Sequence, residues 1–280
     1  MRLASFSLSG RRGYGIVAGD GLVDLARRLG AGAPDLRTAI AGGAFPAMQS
    51  LANEPADVKM AEVVLDLPIP APAKIICIGR NYKAHVAEGN LKLPEKPSVF
   101  LRTLESFSPP GGALVRPRIS EKFDYEGELA VVIGTPGRHI PKEEALEHVF
   151  GYTCLNDGSI RDYQFTHSLT VGKNFFHSGS IGPWIVTADE IPDPTELILG
   201  TRLNGAELQH TRTDDLIFDI PTIISYISDF IPLDAGDIIA TGTPEGVGFA
   251  RKPPLWMKAG DEIEVEISGI GVLRNFVVDE

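Results

Sequence analysis

A chain of 280 residues with 43% hydrophobic content can bury one large core or two modest ones, and its make-up is that of a globular protein. A formal net charge of −11 and a sequence pI near 5.1 argue against nucleic acid or an anionic membrane surface as the main partner. A small anionic substrate stays compatible with that balance, because a metal ion and a few cationic side chains can reverse the field inside a cleft.

Residues 1–70 read as a small N-terminal α+β module. Strands are expected over 2–8, 13–17 and 22–25, joined by Ser-Gly and Gly-Asp-Gly turns, then short helices over 34–41 and 46–52 and a strand over 63–67. MRLASFSLSGRRGYG lacks an apolar signal core and no run reaches bilayer length, so a cytoplasmic location and no membrane partner are expected. PIPAPA, residues 68–73, holds three prolines in six residues and reads as a stiff connector that opens a second domain over 71–280.

Beyond it the chain is dense in strands: KIICIG, SVFLR, ELAVVIG, FGYTCL and GPWIVT. Asn204-Gly205 between two alternating segments signals a hairpin, and further strands are expected over 237–241, 262–267 and 272–278. Helices are expected over 143–148 and 219–230. Asp219 would cap the second, Pro221 suits its first turn, and Ile223, Ile224, Ile227 and Phe230 would form its core stripe. Cys77 and Cys154 lie in apolar runs and read as buried free thiols. Strands outnumber helices and do not alternate with them, which disfavours a doubly wound parallel sheet and favours a mixed α+β, β-rich roll or barrel.

Four stretches carry chemistry. In DYEGELAVVIG, Glu126 and Glu128 are two apart at the start of an apolar strand, so both carboxylates face one way. With Asp157, in CLNDGSIRDYQ, they would form an oxygen-rich site for Mg²⁺, Mn²⁺ or Ca²⁺ rather than Zn²⁺; the plain alternative is exposed acids and an Asp-Gly turn. In GRNYKAHVAE, a short helix from about Tyr82 would set His85 and Glu88 three apart, either as a general-base pair or as a solvated surface pair. Lys173, after Gly172, would be a fixed cation facing a developing oxyanion, or a solvated lysine. ATGTPEGVG, residues 240–248, is no Walker A loop; its backbone would approach a substrate carboxylate, or it is a tight turn.

In this order, these motifs resemble the fumarylacetoacetate hydrolase family. The likeness runs over residues 74–275 and takes in IGRNYKAHVAE, DYEGELAVVIG, NDGSIRDYQ, the Gly-Lys pair, IGPW, TGTPEGVG and PPLWMKAGDEIEVEISGIGVLRN. It implies the family's β-rich catalytic roll, with residues 1–70 as the variable N-terminal module of longer bacterial members, and a homodimer. It implies that Glu126, Glu128 and Asp157 hold Mg²⁺, with Mn²⁺ or Ca²⁺ as alternatives. His85 and Glu88 would be a water-activating dyad on a lid, Lys173 the lysine beside the metal, and Arg161, Gln164 and Thr243 substrate-orienting residues. The expected activity is Mg²⁺-dependent hydrolysis of a carbon–carbon bond in an acylpyruvate-type 2,4-dioxo acid, a small anionic 2-oxo acid substrate, with pyruvate leaving as its enolate. The same site chemistry admits a decarboxylase or isomerase of 2-oxo diacids, oxaloacetate or homoprotocatechuate-pathway type, and a 2-oxo-enoate hydratase. A non-catalytic metabolite binder is the alternative outside enzymes. Two departures fall where selectivity can be set: FLRT, residues 100–103, where members often read FLKP, and Asn174-Phe175-Phe176 where Ser-Phe-Asp is common.

Overall fold

The apolar runs pair into one 12-stranded sheet, a five-stranded sheet and a two-stranded ribbon. The computed structural model describes residues 1–90 and 92–280. Gly127–Ile133 is an interior strand of the large sheet and is buried at all seven positions, which is why it reads as a continuous apolar run rather than an alternation. Val149–Asn156 pairs with it antiparallel on one side and Ile238–Ala240 on the other. Ile238–Ala240 pairs parallel with Ile75–Gly79, which pairs antiparallel with Ser98–Arg102.

These directions bring chemistry to one end of the sheet. The C-terminal ends of Ile75–Gly79, Ile238–Ala240 and Val149–Asn156 lie beside the N-terminal ends of Gly127–Ile133 and Ser98–Arg102. The segments after residue 79, before residue 127, after residue 156 and after residue 240 therefore emerge together.

The two faces of the large sheet bury different cores, as a period of two requires. Ile76, Ile78, Leu129 and Val131 face Leu199, Val265, Ile267 and Leu273 of the five-stranded sheet, together with Ile223, Ile224 and Ile227 of the helix Ile220–Ser228. Ile75, Cys77, Ala130 and Val132 face Leu3, Tyr14, Leu36 and Met48 from the N-terminal residues. Arg2–Leu8 is itself paired to Gly179–Thr187 in the same sheet. Among the described residues no helix is long and apolar enough to cross a membrane.

The strand-rich mixed α+β architecture expected from the sequence is present. Asn204 (φ 52°) and Gly205 (φ 78°) turn the hairpin between Ile198–Leu203 and Ala206–Arg212, and both cysteines are buried free thiols. Several details differ. Leu25 opens a helix, Leu25–Leu29, instead of ending a strand, because the Asp24 carboxylate accepts the Arg27 N–H and caps it. The strand expected over 63–67 is reduced to Val64–Leu65. Lys142–His148 winds as a 3-10 helix. The Asp219-capped helix ends at Ser228, so Phe230 falls outside the core stripe and is exposed.

Candidate active site

Glu126 directly precedes Gly127–Ile133, Glu128 lies in its first turn of pleat, and Asp157 directly follows Val149–Asn156. The Asp157 N–H donates to the Glu126 carbonyl at 2.8 Å, which locks the two strand ends together. One oxygen from each of the three carboxylates lies within 4.8 Å of the others, and all three side chains are buried. Lys173 ends the helix Leu169–Lys173, which the Ser168 hydroxyl caps. Its Nζ donates to Glu126 Oε2 at 2.6 Å, Asp157 Oδ2 at 2.5 Å and the Asp157 carbonyl at 3.0 Å. The preceding Gly172 is required: a Cβ there would stand 2.6 Å from the Gln164 backbone nitrogen, so only glycine lets the two short helices meet and the lysine reach inward.

Two buried arginines complete the charge cluster. Arg161 donates to Glu126 Oε1 at 2.6 Å, to Asp124 Oδ2 at 2.7 Å and to Gln164 Oε1 at 2.9 Å. Arg102 donates to Asp157 Oδ1 at 2.6 Å and to the Ser178 and Ser106 hydroxyls, with its guanidinium 4.2 Å from the centre of the Phe107 ring. Neither Arg102 nor Asp124 was singled out as a site residue from the sequence. The departure at FLRT was the signal for the first, and an acid two residues before Glu126 the signal for the second.

Asp124, Glu126, Glu128 and Asp157 thus face Arg102, Arg161 and Lys173, a surplus of one acid. The surplus falls on Glu128. Its carboxylate accepts the Gly242 N–H at 2.8 Å, and no cation pairs with it among the described residues. Burial, then Asp157 and Glu126, push the Glu128 carboxyl well above the usual range. Burial also works against Glu126, but Lys173 and Arg161 outweigh it and bring that carboxyl down to about 2. Burial disfavours the Lys173 ammonium, yet Asp157 and Glu126 raise its pKa above the ordinary value, so it stays charged at neutral pH. Hard oxygen donors with one acid uncompensated fit a divalent cation such as Mg²⁺ or Mn²⁺.

His85 and Glu88 lie on Lys83–Glu88, with Nδ1 3.0 Å from Glu88 Oε1. A carboxylate at Nδ1 holds the proton there and leaves Nε2 as the basic nitrogen. Glu88 is in turn held by the Gly246 N–H, at 3.0 Å to Oε2. The 240–249 loop does this repeatedly: Gly242 N–H reaches Glu128, and Gly248 and Phe249 N–H reach Asp124 at 2.7 and 3.1 Å. The backbone donors expected to approach a substrate carboxylate hold the protein's own carboxylates instead. Gly246 has φ 94°, and a Cβ there would sit 2.1 Å from the Leu208 carbonyl, so no side chain fits. The Thr243 hydroxyl donates to the Gly127 carbonyl and accepts from Gln209.

A cavity of about 340 Å³ joins these groups. His85, Glu126, Glu128, Asp157, Arg161, Gln164, Lys173 and Thr243 all line it, and Phe100, Phe165, Leu169 and Phe249 form an apolar wall. Glu88 stands behind His85 as its brace.

A sequence model of the fumarylacetoacetate (FAA) hydrolase C-terminal region matches residues 74–278. The mitochondrial oxaloacetate tautomerase FAHD2A of Homo sapiens is 38% identical over 235 residues, 83% of this chain and 75% of that protein. Oxaloacetate tautomerase YisK of Bacillus subtilis (strain 168) is 43% identical over 221 residues, 77% of this chain and 73% of that protein. The crystal structure of maleylpyruvate hydrolase from Sphingobium sp. SYK-6 in complex with manganese(II) ion and pyruvate matches with a TM-score of 0.84 at 33% identity, covering 100% of this chain and 99% of that one.

Proposed function

The chain belongs to the fumarylacetoacetate hydrolase family, and on that premise we propose that it is a divalent-metal-dependent isomerase of a small 2-oxo diacid, interconverting the keto and enol forms of oxaloacetate or a close analogue. Two oxaloacetate tautomerases at 38% and 43% identity support this reading over hydrolysis. Those two identities carry the choice, and the geometry supplies the base that either reading needs: Lys173 has all three protons committed to carboxylate and carbonyl oxygens, which leaves His85 as the proton-transfer group of the cleft.

A Mg²⁺ or Mn²⁺ ion held by Glu126, Glu128 and Asp157 would supply Lewis acidity toward the carboxylate and 2-oxo oxygens of the substrate and so make its C3 proton more acidic. His85 accepts that proton. The C3–H electron pair becomes the second C2–C3 bond, the carbonyl electrons move to the 2-oxo oxygen, and the proton taken by His85 is handed on to that oxygen, which gives the enol and restores the neutral imidazole. The reverse path returns the ketone, with no water consumed and no carbon lost. Glu88 accepts the Nδ1 proton and so fixes the tautomer of the neutral ring, with Nε2 free to take the substrate proton. Lys173 is neither base nor Schiff-base nucleophile in this arrangement. It orients Glu126 and Asp157 and adds fixed positive potential where negative charge develops.

Hydrolysis of an acylpyruvate is the second reading. The likeness to maleylpyruvate hydrolase and the apolar wall of Phe100, Phe165, Leu169 and Phe249, suited to an acyl end, favour it. There His85 would take a proton from water, and water would attack the distal carbonyl.

One assay separates the two. Oxaloacetate enol absorbance and C3 deuterium exchange are followed with Mn²⁺ and after chelation, beside pyruvate release from an acylpyruvate. The expected result is metal-dependent relaxation of the enol without pyruvate, slowed roughly 10²- to 10⁴-fold by His85→Ala. Pyruvate from oxaloacetate would mark decarboxylation, and a faster acylpyruvate reaction would reverse the order of the readings. A His85→Ala variant at the wild-type rate would remove the dyad from the mechanism.

A further inference from the structure

Asn174 directly follows Lys173 and is not among the residues that line the cavity. Its amide is nonetheless used in full. Oδ1 accepts the Thr103 N–H at 2.7 Å, and Nδ2 donates to the Leu101 carbonyl at 3.2 Å and to the Thr170 carbonyl at 2.8 Å. These partners also fix which end of the amide is oxygen, because an N–H needs an acceptor and a carbonyl needs a donor. Leu101 and Thr103 flank Arg102 at the end of Ser98–Arg102, an outer strand of the large sheet. A carbonyl and an N–H two residues apart point to the same side of a strand, where a parallel neighbour would meet them both. One side chain thus does what a peptide group of such a neighbour would do.

The contact closes a ring. Lys173 holds Asp157 Oδ2, Arg102 holds Asp157 Oδ1, and Asn174, joined to Lys173 through the chain, holds the backbone on both sides of Arg102. The bond to Thr170 ties the same amide to the helix Leu169–Lys173. Helix and strand therefore cannot slide past each other without breaking the amide's bonds, and their spacing decides whether both cations reach one carboxylate. A helix of five residues is too short to keep its own geometry, so its last residue needs a tether from outside. The departures at residues 100–103 and 174–176 meet in this contact: Thr103 supplies an N–H that a proline would lack, and Asn174 supplies the acceptor.

We infer that Asn174 is a positioning residue that sets the spacing of Lys173 and Arg102 on Asp157, and through it the readiness of the acid cluster to take a divalent ion. This rests on the acids holding such an ion, and it applies to the isomerase and hydrolase readings alike.

The test measures Mn²⁺ affinity by calorimetry, without substrate, and the melting temperature of wild type, Asn174→Ala, Thr103→Pro, the double variant and Asp219→Ala. Thr103 has φ −86° and Arg102 before it lies in a strand, so proline is tolerated at 103 and removes little but the N–H. Asn174→Ala should weaken Mn²⁺ binding by about tenfold, the low end for an outer partner of a metal ligand. Thr103→Pro should weaken it by less, and the double variant should fall within about twofold of Asn174→Ala, because the two substitutions remove one shared bond. Asp219→Ala loses a helix cap and a few degrees of melting temperature, and should bind Mn²⁺ as wild type does, which separates a loss of positioning from a loss of stability. Asn174→Ala binding within about twofold of wild type, an equal loss in Asp219→Ala, or a Thr103→Pro effect that adds in full to that of Asn174→Ala would each overturn the inference and leave the metal reading standing. A wild type that takes no Mn²⁺ would overturn the metal reading itself, and the role of Asn174 with it.

Discussion

Asp157 is shared by two cations on opposite oxygens, Lys173 at Oδ2 and Arg102 at Oδ1. The lysine faces the cleft, and the arginine is buried behind, tied to Ser106 and Ser178 and laid on Phe107. Arg102 is therefore a positioning residue. It fixes the carboxylate that in turn fixes Lys173. A guanidinium does this with a planar fork that a lysine lacks, which gives a physical content to the departure at residues 100–103. Arg102→Ala would leave a buried carboxylate short of one partner and should cost about 3–5 kcal/mol in urea unfolding. Arg102→Lys keeps the charge but not the fork, so its stability loss should fall between, and Mn²⁺ titration of that variant should show weakened binding. An alanine variant within about 1 kcal/mol of wild type would mean that Asp157 does not depend on Arg102.

At the level of elements, the helix Ile220–Ser228 shows what local sequence can specify. Asp219 accepts the Thr222 N–H at 2.9 Å, Pro221 occupies the first turn, and four isoleucines face the core. Asp219→Ala should cost about 1 kcal/mol through the lost cap. Burial opposes ionisation of Asp219, but bonds from Thr222 and Lys142 outweigh it and hold the carboxyl below its ordinary 3.8. A folded pKa below the unfolded one gives stability that is complete above the unfolded value and lost as pH falls through the folded one. The difference in urea midpoint between wild type and Asp219→Ala should thus be constant near neutrality and shrink below about pH 4. A difference that persists undiminished in acid would assign the effect to something other than the carboxylate. The Asn204-Gly205 hairpin was legible for the same reason as this helix, since its turn chemistry lies within the turn. Likewise the acids, the dyad and Lys173 stood out because motif and residue coincide. Arg102, Asp124 and the loop's N–H donors did not, because their partners are distant: Gly246 meets Glu88 158 residues away, and Gly248 meets Asp124 124 residues away. Leu25 was misread because an apolar residue after a strand is ambiguous until the capping Asp24 is seen.

Over the whole molecule, the cleft is built from residues 78–249, and none of residues 1–70 lines it. Those residues nonetheless support it from behind. Leu3, Tyr14, Leu36 and Met48 pack in one core with Ile75, Cys77, Ala130 and Val132, which lie on strands whose ends carry the dyad segment and the paired glutamates. The 68–73 segment joins the same core through the buried Ile69. Removing residues 1–70 would uncover that face of the sheet and the edge of Gly179–Thr187 to which Arg2–Leu8 is paired. Each large apolar side chain so exposed forfeits about 1.5–3 kcal/mol, and several together exceed the ordinary stability of a domain. The full chain should therefore unfold in one cooperative step, with far-ultraviolet dichroism, tryptophan emission and loss of Mn²⁺ binding sharing a midpoint. Residues 71–280 expressed alone should bind a hydrophobic dye and elute as aggregate. If that fragment instead stays monodisperse, melts cooperatively and binds Mn²⁺ as the full chain does, the N-terminal residues are an independent module and the acid cluster needs no support from them.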